Sequence, residues 1–325
     1  MMSEIKIIKY NNNFRDNILR LWNDSGIRQG FVPAEVGYLD TNLLKHPAFC
    51  QDHAFVLIGS DQVQGFICGC VGDELVRGKE RGYFTCLLLS GQAENKQNAF
   101  ELLDVLEKSF RRAGRQYSVC TFFNPIQISW IIPDTAGHRH NNTPGIATDL
   151  PLHNWLVEYG YQIAAQECAM HLKLAGFTVP GWVSEKAERA EQSGYRVEWY
   201  DREKHTGLRT MVESVGNPMW NAQIPVMAEE INMIVALKGN EVVGFTGPVY
   251  PEENGRGYFA GIAVSPEHKK KGLGTLLFYR LCQEEKNAGA VYLSLFTGCD
   301  NPAINIYRNA GFEEKRIFSV MLKAL

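Results

Sequence analysis

The chain is read outward from Gly257-Tyr-Phe-Ala-Gly-Ile-Ala-Val264-Ser-Pro-Glu-His-Lys269-Lys-Lys-Gly-Leu-Gly-Thr275. The apolar run Tyr258–Val264 predicts a strand. Leu273, Leu276, Leu277 and Leu281 fall on one stripe at helical spacing, which predicts a helix over 272–289. Between them lies a turn rich in lysine and glycine. A turn of this kind leading into a helix presents free backbone N–H groups and the positive end of the helix dipole to an anion. Gly272 and Gly274 remove side chains where backbone must approach a ligand, and Lys269, Lys270 and Lys271 add compact cations for phosphate. The same residues alone also suit a solvated basic turn. Two familiar phosphate motifs fail here. A P-loop needs Gly-Lys-Ser/Thr after its second glycine, but Thr275-Leu276 follows Gly274. A dinucleotide fingerprint needs a third glycine where Leu277 stands.

Length and composition bound the rest. The 325 residues exceed one ordinary core and predict two domains of roughly 150 residues each. A formal charge of −3 gives no basic face for nucleic acid. No apolar run approaches the roughly 18 residues of a membrane helix, and the first residues lack the apolar core of a signal peptide. The eight cysteines lie mostly in apolar strands without a CxxC pair, and Cys68 and Cys70 share one strand face; reduced core thiols and a cytoplasmic location are expected.

The two halves repeat one order of elements. Strand 5–10, helix 14–26, a hairpin over 53–72 turning at Ser60-Asp61, strand 82–91, helix 97–113, strand 117–123, a polar loop 133–149, helix 151–161 and strand 166–174 make the first. Strand 195–200, helix 203–216, a hairpin over 231–250 turning at Gly239-Asn240, the strand and helix quoted above, strand 290–296, helix 301–311 and strand 312–325 make the second. Arg81-Gly-Tyr-Phe84 matches Arg256-Gly-Tyr-Phe259, and Gly65-Phe66 matches Gly244-Phe245. The expected architecture is α/β (α+β): two tandem copies of one fold, each a mixed, mostly antiparallel twisted sheet flanked by helices. The copies are expected over 1–176 and 195–325, joined by a linker over 177–194 that carries a charged helix.

The turn after a strand ending in Ala-Val-Ser-Pro, together with Asn301-Pro-Ala-Ile-Asn-Ile-Tyr307-Arg-Asn-Ala-Gly311-Phe312, resembles the two linked motifs of the GNAT superfamily of acyl-CoA-dependent N-acyltransferases. The resemblance covers 195–325 closely and 5–175 by element order only. Lys269 departs from it by standing where Gln or Arg is usual. The resemblance implies that the backbone of Ile262, Ala263 and Val264 binds the pantetheine arm. It implies that the turn from Lys269 through Lys270, Lys271, Gly272, Leu273 and Gly274 to Thr275 cradles the pyrophosphate, and that the Asn301 side chain also binds the cofactor. Tyr307 would protonate the departing thiolate as general acid. Acetyl-CoA is then the co-substrate, no metal is needed, and the acceptor is a small-molecule or peptide amine. The alternative is a non-catalytic acyl-CoA-binding or sensor protein, suggested because Tyr258–Val264 holds no carboxylate to act as general base. Glu252 and Glu253 are weak candidates for that base, better read as a solvated loop pair. His138 and His140 read as part of a polar loop, and His268 as local charge.

In the first half the counterpart of the turn is 90–103, without a glycine pair or a cluster of cations, and Val157 or Glu158 stands near the place of Tyr307. The first half therefore reads as a copy that has lost cofactor binding. Trp130, Trp155 and Trp220 could line an acceptor groove, but core packing suits them better.

Overall fold

The computed structural model describes residues 5–325. In chain order these form β1 (Lys6–Lys9), α1 (Arg15–Leu21), α2 (Val36–Leu39), β2 (Ala54–Gly59), β3 (Gln62–Cys70), β4 (Arg81–Leu89), α3 (Lys96–Arg112) and β5 (Tyr117–Cys120). Three short strands follow, β6 (Trp130–Ile131), β7 (Arg139–His140) and β8 (Ile146–Ala147), then α4 (Pro151–Glu158) and β9 (Gln162–Lys173). The second half holds α5 (Gly181–Gln192), β10 (Tyr195–Trp199), α6 (Leu208–Val215), α7 (Pro218–Glu230), β11 (Ile234–Lys238), β12 (Glu241–Gly247), β13 (Tyr250–Pro251) and β14 (Arg256–Tyr258). It ends with β15 (Gly261–Val264), α8 (Leu273–Asn287), β16 (Tyr292–Gly298), α9 (Ile304–Asn309) and β17 (Glu313–Ala324). No helix among the described residues is long and apolar enough to cross a membrane.

By packing, the chain divides into two units. Unit 1 takes the chain up to Ala169 with Phe296–Cys299 and Lys315–Leu325; unit 2 takes Met170–Leu295 and Asp300–Glu314. This differs from the division expected from sequence in two places. The expected linker is part of unit 2: α5 buries Val183 and Ala190 and lies along β10 and α8. The final strand from Lys315 onward belongs to unit 1, where Met321–Ala324 pairs antiparallel with Cys120–Tyr117.

In unit 1, β1 to β4 are antiparallel neighbours and β4 runs parallel to β5. One face of this sheet packs Leu102, Leu103, Leu106 and Phe110 of α3 with Leu152 and Leu156 of α4. The other packs Ile18 and Leu21 of α1 with Leu39 of α2. Ser60 and Asp61 turn the first hairpin with φ of 50° and 58°, the left-handed geometry that matches strand twist. In unit 2, β10, β11, β12 and β15 form an antiparallel sheet in that order, and β14 pairs antiparallel with β13 and parallel with β16. Leu208, Met211 and Val212 of α6 and Ile224 of α7 cover one face.

Helix α7 is not apparent in the sequence. Pro225 lies inside it, and Ile224 and Pro225 are its only buried residues, so it has no apolar stripe to read; Asn217 starts it by accepting from the N–H groups of Met219 and Trp220. Proline in a helix interior removes one donor and normally argues against a helix.

The repeat is closer in register than in sequence. Arg81 and Gly82 pair with Tyr117 and Ser118, and Arg256 and Gly257 pair with Tyr292 and Leu293. Both strand pairs, and the Ala-Gly that ends each intervening helix, are therefore offset by one constant spacing, without a gap. A bulge falls at Leu57/Ile58 in one hairpin and at the equivalent Ala236/Leu237 in the other. All eight cysteines are free, and Cys68 and Cys70 are buried, as expected of reduced core thiols.

Candidate active site

The strand expected over Tyr258–Val264 breaks at Phe259–Ala260. Before the break the chain pairs with β16; after it, β15 pairs with β12 alone and is the edge of its sheet. Two strands that pair at one end and part at the other leave backbone groups unpaired in the gap. The Ser265 N–H bonds the Val243 carbonyl at 2.8 Å. Alternation along a strand then turns Ala263 back to β12 and points Val264 and Ile262 at the open edge. Of the three backbone positions expected to meet the ligand, Ile262 and Val264 present their polar groups and Ala263 does not. Trp220 braces the break: its indole N–H donates to the Ala260 carbonyl at 3.2 Å, and a Cβ on Gly261 would fall into its ring.

The turn follows directly. A short 3-10 turn (Pro266–His268) leads to Lys269, then Lys270 with φ of 62°, and Gly272 with φ of 81° caps α8. A β-carbon in that left-handed region is strained, which is why glycine stands at 272. No side chain caps the helix, so the N–H groups of its first turn stay free. A Cβ on Gly274 would meet nothing nearer than Val264 Cγ2 at 4.0 Å, which leaves open approach. Leu273 is 1% exposed and ties the helix start to the core. Among the described residues Lys269, Lys270 and Lys271 pair with no carboxylate. The His268 ring is held by the Tyr195 hydroxyl at 3.1 Å.

The second motif packs on the helix that the turn begins. The Tyr307 ring lies 4.7 Å from that of Phe278 on α8 and is 7% exposed. Its hydroxyl has no hydrogen-bond partner among the described residues, and burial pushes its pKa up to about 12, so it stays protonated at neutral pH. Asn301 is exposed, and its side-chain oxygen accepts from the Ala303 N–H at 3.0 Å. Glu252, read as a solvated loop residue, instead bonds Arg256 at 3.1 Å; Glu253 is exposed.

One chemical group escaped the sequence reading. Glu285 on α8 is fully buried and neither carboxylate oxygen has a geometric hydrogen-bond partner. Burial lifts its pKa to about 8, partly offset by the Tyr250 N–H and the Arg256 charge. Its Oε2 lies 2.7 Å from where a Cβ on Gly257 would be. The repeat could have revealed it, because the equivalent of Glu285 is Phe110, whose ring fills the same space against the equivalent Gly82. At one position of one fold a carboxyl replaces an apolar ring.

Unit 1 shows what a closed copy looks like. Leu87 and Leu89 are the equivalents of Ile262 and Val264, and their outer edge is occupied. Gln29 Nε2 donates to Leu87 O at 2.8 Å, Arg28 Nη2 to Leu89 O at 3.0 Å, and Leu89 N–H to Ser25 Oγ at 3.0 Å. The start of α3 is closed as well: the Asn95 side chain accepts from the Asn98 N–H at 2.9 Å. A cavity of about 300 Å³ remains beside Leu87, Leu89 and Trp155. Counting back four residues from Gly160 and Gly311 sets Leu156, not Val157 or Glu158, in the place of Tyr307. Trp130 is 1% exposed and packs on Phe318 at 5.1 Å, so it belongs to the core; the His140 ring packs on Phe296 at 4.5 Å. No group of side chains that could hold a metal occurs among the described residues.

The donor set of unit 2 fits an acyl-CoA. The open edge of β15 suits an amide-bearing arm, the uncapped helix start and free lysines suit a diphosphate, and the protonated phenol packs on α8 at Phe278. Residues 191–312 match the acetyltransferase (GNAT) family model. No curated protein matches by sequence. Among solved structures, the glucosamine N-acetyltransferase region of a fungal multi-domain GH3 β-N-acetylglucosaminidase superposes with a TM-score of 0.71 at 14% identity, over 99% of this chain and 38% of that one. This chain thus spans well under half of that protein's length. A GCN5-related N-acetyltransferase from Sphaerobacter thermophilus gives 0.61 at 13% identity, over 98% and 95% of the two chains. A tandem GNAT protein from the clavulanic acid biosynthesis pathway gives 0.56 at 14%, over 99% and 98%. Members of the matched family generally use acetyl-CoA as co-substrate. Residues 191–312 thus match the acetyltransferase (GNAT) family model, in a chain whose fold is similar to that of a tandem GNAT protein over nearly its whole length.

Proposed function

We propose that unit 2 transfers an acetyl group from acetyl-CoA to a primary amine by direct attack. Ile262 and Val264 align the pantetheine arm through their backbone, Lys269 to Thr275 hold the pyrophosphate, and the exposed amide of Asn301 contacts the cofactor. The amine nitrogen attacks the thioester carbonyl carbon and the carbon–sulfur bond breaks. The sulfur takes its proton from the Tyr307 hydroxyl, the proton lost by the amine passes to water, and the Tyr307 phenolate is reprotonated from water. The observation that carries this reading is the Tyr307 hydroxyl, kept protonated by burial and left without a partner beside the helix that the lysine turn begins. A thiol-release assay with acetyl-CoA across amino acids, aminoglycosides, polyamines, peptides and amino sugars tests it. Turnover with at least one amine is expected; tight acetyl-CoA binding with no turnover on any amine would sink it. That second result would favour a non-catalytic acyl-CoA-binding protein, a reading supported by the carboxylate-free strand and by Glu252 being held by Arg256.

A further inference from the structure

The helix expected as a linker reaches the lysine turn. Lys186 on α5 lies against Gly272: a Cβ added there would be 3.1 Å from Lys186 Cδ and 3.5 Å from its Nζ. We propose that Lys186 is a cofactor-binding residue whose ammonium holds the pyrophosphate of acyl-CoA together with the free N–H groups of α8. The inference rests on the function proposed above.

Three observations carry it. First, the contact is with Gly272, the residue immediately before α8, whose start has no side-chain cap, so the ammonium stands beside the N–H groups that would face the anion. Second, Lys186 has no carboxylate partner among the described residues. Glu185, Glu188 and Glu191 lie on its own helix, yet none pairs with it among the described residues, and its ammonium lies 6.0 Å from the centre of the Trp182 ring. Third, α5 is fixed within the same unit. Val183 and Ala190 are buried, and Trp182 packs edge-on against Tyr279 of α8 at 5.3 Å, so the lysine is delivered by a docked helix and not by a loose arm. The aliphatic stem lying on Gly272 also gives that glycine a second reason to be there: a side chain would displace the lysine.

The test uses the full chain and Lys186→Met, which keeps the stem and removes the charge. Binding of acetyl-CoA, acetyl-dephospho-CoA and S-acetylpantetheine is measured by calorimetry. The expected result is about fivefold weaker binding of the first two, the size of a partly exposed ion pair, with S-acetylpantetheine unchanged because it has no phosphate. Equal affinity of variant and parent overturns the proposal. A loss confined to acetyl-CoA also overturns it, since the 3′-phosphate is then the partner. If the variant melts lower, Lys186→Arg decides: retained affinity supports the assignment, and a matching loss removes it. Failure of the parent chain to bind acetyl-CoA at all would instead remove the function proposed above.

Discussion

Two side chains carry the chemistry that can be tested one residue at a time. Tyr307→Phe keeps the ring on Phe278 and removes the only proton Tyr307 can give. Turnover should fall on the order of a hundredfold with acetyl-CoA affinity unchanged, the size expected for loss of a general acid. Steady-state kinetics with calorimetry checks it, and a parallel loss of affinity would make Tyr307 a packing residue. Glu285 acts through stability. Its pKa is raised from 4.5 to about 8 in the folded chain, so the folded state holds the proton longer than the unfolded one. The stability contributed by the neutral carboxyl is fully present below pH 4.5 and is lost as pH rises through about 8, falling by about 1.4 kcal/mol for each pH step between them. Glu252, Arg256 and the Tyr250 N–H face it from the β13–β14 hairpin, and Cys282 from its own helix. Glu285→Gln should raise the melting temperature more at pH 9 than at pH 5. Identical gains at both would show that Glu285 does not titrate in this window.

At the scale of elements, the site depends on how one strand parts from its neighbour and how one helix begins. The same chain order gives a closed edge in unit 1 and an open one in unit 2, and the difference is a few side chains: Ser25, Arg28, Gln29 and Asn95 against Gly272 and Gly274. Gly272→Val should cost about 1–2 kcal/mol of backbone strain at φ of 81° and weaken acetyl-CoA binding, because it distorts the cradle and displaces Lys186. Thermal melts with calorimetry read both effects, and unchanged binding would exclude the turn from the site. With the edge of unit 1 occupied, the stoichiometry should be one acetyl-CoA per chain; two would mean that Ser25, Arg28 and Gln29 give way to a ligand.

At the scale of the whole molecule, the last strand decides what can fold alone. From Lys315 the chain lies in unit 1, pairing with β5 and β8. Lys323 bonds the buried Glu107 at 2.8 Å, and Arg316 bonds Asp149 at 2.9 Å. A chain ending at residue 314 loses this strand and leaves Glu107 with Arg111 as its remaining cation, and removing one partner of a buried pair costs about 3–5 kcal/mol. Its unit 1 should unfold early in a melt and be cut first by protease, and a 1–178 fragment should not fold cooperatively. Cooperative melting of that fragment would show that unit 1 does without the strand.

The sequence by itself determined the two copies, their order of elements, the lysine–glycine turn and the motif of Asn301 and Tyr307, because each is written in local spacing: alternation, a helical stripe, glycines beside lysines. It also pointed to the half that kept the turn. Tertiary structure alone decided the rest. The break at Phe259–Ala260 comes from β14 and β15 having different partners, and α7 from packing that overrides Pro225. The depth of Glu285, the reach of Lys186 and the allegiance of Lys315–Leu325 depend on neighbours far along the chain. Local spacing records how a segment turns and which of its faces is apolar. Burial and contact between distant segments exist only once the chain has folded.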